Sequence, residues 1–171
     1  MGWDWPHAHL LINHFPIIMA VMGATAVIVA LVMGWRSAWL YAVASLTVMG
    51  LSAYPVVFTG KHADKALNDP WYIVHGVIDK HEAASDWALW MMIATGVVAA
   101  YAWWRAVRRD SDTQRPPLWL RVLVLVGALM SLATVTRTAL LGGDIVQGSS
   151  ILQGPAPAGL PPQPPETPGK D

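Results

Sequence analysis

The stretch "LLINHFPIIMAVMGATAVIVALVM", residues 10–33, carries no Asp, Glu, Lys or Arg. At about 1.5 Å of rise per helical residue, a run of this length crosses the roughly 30 Å hydrocarbon core of a bilayer. Three further predominantly apolar runs of similar length lie at 38–58, 84–106 and 117–141. The sequence therefore predicts an all-α integral membrane protein: a four-helix bundle of antiparallel spans within residues 1–150, with both termini extracytoplasmic.

Composition agrees. The chain has 171 residues, of which 54% are hydrophobic and 13% charged, about half the charge of an average soluble domain. Formal net charge is zero and no basic motif is present, which argues against nucleic acid as a partner. There is no cysteine, so disulfides, thiolate-held iron–sulfur clusters and covalently attached haem are excluded. The opening "MGWDWPHAH" has neither a positive n-region nor a small-residue cleavage site, so the first apolar run is expected to stay in the mature chain.

Outside the spans, "NDPWYIVH" offers Asn68 or Asp69 as an N-cap and Pro70 at the first helical position, predicting a polar prelude to the third span. Glycine-containing stops are expected after the second and fourth spans, at "FTGKH" and "LLGGD", which hints at a parallel repeat of two hairpins. Residues 151–171 hold seven of the thirteen prolines and predict an extended or disordered tail, usable as a strap across a partner.

Arg36, Arg105, Arg108, Arg109, Arg115 and Arg121 flank the two loops expected to be cytoplasmic, against Lys61, Lys65 and Lys80 on the other side. Tryptophans fall near both boundaries and none mid-span. The orientation gathers all six histidines at the extracytoplasmic face. His7, His9 and His14 open the first span, His62 follows the second, and His75 and His81 precede the third.

On the third helix His75, Asp79, Glu82 and Asp86 recur at i, i+4, i+7 and i+11 and so form one polar stripe. Arg137, counted from the other boundary, reaches matching depth and is the expected partner of Asp86. Two ligand chemistries fit such a cluster. A non-covalent haem b takes imidazole ligands, with His14, His62 and His81 as candidates and Arg137 for the propionates. A divalent transition metal would use His7, His9, His75, Asp79, Glu82 and Asp144. A plainer reading also stands: interfacial histidines bond to water, headgroups and helix ends, and the charge pair fixes packing.

The segments "HAHLLINHFPI", "TGKHADKA", "HGVIDKHEAAS" and "TALLGGDIVQG" together resemble the uncharacterised bacterial membrane-protein family catalogued as domain of unknown function 2231. The resemblance covers about residues 7 to 150. It implies a four-helix membrane domain with characteristic positions at His14, Thr59, Gly60, His81, Glu82, Gly142 and Gly143. It also implies a redox setting, because some relatives are fused to Rieske-type domains. This sequence departs from the pattern where Pro6 precedes His7 and where Gln147 replaces an aromatic residue, and the fusion partner is missing.

The expectation is thus an inner-membrane protein whose outward His/acid cluster binds haem b or a metal. It would serve electron transfer beside other membrane-complex subunits or a periplasmic redox protein. The alternative is a non-catalytic accessory subunit. No nucleophile–base constellation is present to point to an enzyme, and that question is left open.

Overall fold

A computed structural model describes residues 4–66, 75–108 and 115–147. All regular structure among them is helical: α1 (Trp5–Ile12), α2 (His14–Met33), α3 (Arg36–Ala66), α4 (His75–Val107) and α5 (Leu118–Gln147). Four spans are long and apolar enough to cross a membrane: Trp5–Met33, Arg36–Ala63, Ile78–Val107 and Leu118–Asp144. Helices α2, α3, α4 and α5 pack in a ring, each against the next and α5 back against α2, while α1 lies along α3.

The distribution of side-chain size explains why this bundle belongs in lipid. Its interior is built largely from small residues, including Ala20, Ala24, Ala42, Ala53, Ala88, Ala99 and Ala128. Large apolar residues face outward; Leu11 is 82% exposed, Val32 76% and Leu51 74%. A water-soluble bundle would invert that arrangement. In a membrane, lipid tails cover large side chains as well as protein does, and association comes from close backbone packing of small residues.

Backbone meets backbone where α3 crosses α4. A Cβ placed on Gly50 would lie 2.9 Å from the Gly96 Cα and 2.9 Å from the Met92 carbonyl oxygen. Nearby, the fully buried Ser131 Oγ on α5 donates to Thr95 Oγ1 on α4 at 3.0 Å. The turn between α2 and α3 needs glycine for another reason. Gly34 has φ 71°, and its N–H caps α2 on the Ala30 carbonyl.

Several sequence expectations are corrected. The first span is longer than 10–33 and is broken at Asn13. Pro16 has no N–H to give the Ile12 carbonyl, so the break falls one turn ahead of it and the proline sits in the first turn of α2. The glycines of "FTGKH" and "LLGGD" are not stops: α3 runs on to Ala66 and α5 to Gln147. The spans expected at 38–58, 84–106 and 117–141 are correspondingly extended within α3, α4 and α5. Asn68, Asp69 and Pro70 of the expected prelude, and the 151–171 tail, lie outside the described residues.

Candidate functional site

Two histidines turn into the bundle, on different helices and by the same device. His9, on α1, is half-buried, and its Nδ1 donates to the Val56 carbonyl oxygen of α3 at 3.1 Å. His81, on α4, is half-buried, and its Nδ1 donates to the Thr138 carbonyl oxygen of α5 at 3.0 Å. Each acceptor lies inside a helix, four residues before a glycine: Val56 before Gly60 and Thr138 before Gly142.

That spacing has a geometric cause. A helical Cβ tilts toward the N-terminus, so the side chain at n+4 covers the carbonyl at n. Glycine removes the cover. A Cβ on Gly60 would meet His9 Cε1 at 3.0 Å, and one on Gly142 would meet His81 Cε1 at 3.2 Å. The two rings therefore occupy notches that exist because these positions carry hydrogen alone.

The hydrogen bonds also set the tautomer. A carbonyl can only accept, so Nδ1 carries the proton in each neutral ring and Nε2 keeps its lone pair. At His9 the arrangement is reinforced by Thr59. Its hydroxyl donates to the carbonyls of Pro55 and Val56 at 3.0 and 2.9 Å, leaving the oxygen to accept from His9 Nδ1 at 3.2 Å. Asn13, one turn after His9, contributes a buried Oδ1 that has no hydrogen-bond partner.

The other candidate residues are placed differently. His14 is exposed at the start of α2. His62 stacks between aromatic rings, 4.7 Å from Trp5 and 4.3 Å from Phe58 between centroids, with its Nδ1 on the Phe58 carbonyl at 2.9 Å. His7 is exposed and meets the carboxylate of Asp4, the α1 N-cap, which also accepts from the His7 backbone N–H at 3.2 Å. That backbone bond, followed by the ring contact, holds the Asp4 carboxyl below the usual carboxylate range.

The expected charge pair is replaced by another. Asp86 pairs with Lys61 of α3 at 3.0 Å, whereas Arg137 is exposed and makes no ion pair among the described residues. Counting depth along separate helices carries no information on direction around a helix, and that direction decides which charges can meet. Asp79 is exposed, and Glu82 and Asp144 are half-buried. His75 begins α4, with its side chain outside the described residues. Among the described residues no three of His, Asp or Glu converge as a metal-binding group.

Sequence reasoning placed His9 with the possible metal ligands and away from the haem ligands. The signal that could have singled it out was the pair of glycine-containing helix ends, which read as stops but serve as seats for imidazole rings. No family model matches the chain, and neither does any curated protein or solved structure.

Proposed function

We propose that the protein holds haem b through His9 and His81 and serves electron transfer within a larger membrane complex. The reading is carried by one observation: two imidazoles on separate helices, each fixed through Nδ1 to a helical carbonyl above a glycine. Histidine ligands to metals typically donate their second nitrogen in this way, which orients the ring and raises its basicity. The donor set fits the group. Haem iron takes imidazole ligands, and in both rings Nε2 keeps the lone pair such a bond needs. A two-imidazole set suits haem better than a divalent ion needing three or four protein ligands. When bound, haem b would supply one-electron chemistry; the chain's own part is to fix both rings and exclude water from them.

The proposal carries with it antiparallel spans in a bacterial inner membrane, the histidine end and tail outside the cytoplasm, and kinship with domain of unknown function 2231. The test is a reduced-minus-oxidised visible spectrum of the detergent-purified chain. A sharp b-type band is expected, absent in His9→Ala and His81→Ala and retained in His14→Ala and His62→Ala. A band that survives both of the first pair refutes the ligand assignment.

A second reading draws on the same bonds. Each ring already fills a notch and ties two helices together, which suits an accessory subunit whose histidines are helix clasps. A blank spectrum, with loss of stability in both alanine variants, would favour it.

A further inference from the structure

Tyr54, Phe58, His62 and Lys65 recur along α3 at i, i+4, i+8 and i+11 and so lie on one face of that helix. Phe58 stacks on Tyr54 at 6.2 Å between centroids, and Trp5 of α1 closes edge-to-face on Phe58 at 6.0 Å. Tyr54 is 63% exposed and Phe58 42%, so this aromatic ledge faces away from the bundle. Its upper part stands at the polar edge of the span, which ends at Ala63, where Lys61 beside His62 pairs with Asp86. Lys65, one turn further out, is exposed and makes no ion pair among the described residues.

The chain carries a segment suited to that ledge. The contacts Lys61–Asp86 and His81–Thr138 bring the C-terminal parts of α3 and α5 to the same half of α4, so the chain leaves α5 at the end where the ledge stands. Residues 161–166 read "PPQPPE". Such a sequence favours polyproline II, whose three-residue turn puts 161 and 164 on one edge, 162 and 165 on the next and Gln163 on the third. Prolines held in this helix lose little entropy on docking and pack against aromatic side chains. Glu166, directly after them, carries the charge that Lys65 lacks as a partner. Length permits the contact. With neighbouring helices 8–10 Å apart, α3 and α5 stand about 14 Å from each other across the ring, whereas residues 148 to 161 span up to about 40 Å at about 3.1 Å each.

We propose that residues 161–166 fold back over the histidine end as a strap, with the prolines against Phe58 and Trp5 and the Glu166 carboxylate on Lys65. Running from α5 to α3, the strap crosses the end at which His9 and His81 lie and helps to keep water from their rings. The contact is intramolecular, unlike the strap across a partner expected from composition. It does not depend on haem.

The absence of cysteine makes the experiment clean: Leu11→Cys, at an exposed position of α1, and Gln163→Cys, on the free edge of the proline run, take one spin label each. Pulsed double-resonance measurement on the full chain in lipid nanodiscs is expected to give one narrow distance between them. Phe58→Ala and Lys65→Glu should each broaden it to the spread of an undocked coil, and Lys65→Glu combined with Glu166→Lys should restore it. Lys65 is exposed, so its reversal spares the packing of the bundle, and helical circular dichroism checks that each variant is folded. A broad distribution with the native ledge, a narrow one that ignores both substitutions, or a charge swap that restores nothing overturns the proposal. So does the same distance between singly labelled chains mixed together, which assigns the strap to a second copy. None of these outcomes involves the b-type band, so failure of the haem reading and failure of the strap are told apart.

Discussion

His81 donates from Nδ1 to the Thr138 carbonyl at 3.0 Å while its ring rests where a side chain on residue 142 would stand. A single hydrogen atom at Gly142 therefore determines whether α4 and α5 can be joined through this imidazole. His9 stands in the same relation to Val56 and Gly60.

Gly142→Val and Gly60→Val should each displace the facing ring and cost about 1–3 kcal/mol by overpacking. Thermal unfolding in detergent measures the loss. Under the haem reading, each variant should also lose or shift the b-type band, whereas Gly76→Val, at a position with open space around it, should leave the band in place.

At the α3–α4 crossing, Gly50→Val puts side-chain atoms into the backbone of α4, which has no rotamer with which to yield. A loss at or above about 3 kcal/mol is expected, the upper end of overpacking costs. A variant as stable as the wild type would show that the helices do not cross at Gly50 and Gly96.

Ser131→Ala tests the buried hydroxyl pair. Removing this donor leaves Thr95 Oγ1 without the Ser131 hydrogen bond, but interhelical hydrogen bonds in membranes average only about 0.6 kcal/mol. The midpoint should fall slightly, and far less than for Gly50→Val. A double-mutant cycle with Thr95→Val isolates the coupling.

Acid should loosen α1 at its N-terminus. Because the folded state holds Asp4 below the usual carboxylate range, its capping contribution is fully present above that range. It is lost as pH falls through the depressed folded value. Amide exchange in α1 should accelerate across that acidic window, and Asp4→Asn should remove the dependence while leaving exchange in α2 unchanged.

Much of this organisation was legible in the chain itself. Predominantly apolar runs long enough to cross a bilayer dictate four spans, since every backbone polar group in hydrocarbon must be bonded within its own helix. The absence of cysteine narrows cofactor chemistry, and counting the spans leads to the expectation that the histidines gather at one side. These properties depend on length and composition, which folding does not alter.

Only the tertiary structure decided which side chains face one another. Depth can be counted along a helix, but rotation about its axis and the partner across the interface depend on how small residues let backbones meet. Hence Arg137 is exposed, Asp86 found Lys61, and His9, expected among metal ligands, turned inward where the haem candidate His14 did not. The glycines of "FTGKH" and "LLGGD" show the same limit. In sequence a glycine near a helix end reads as a stop, and only a neighbouring helix with an imidazole at the right height makes it a seat.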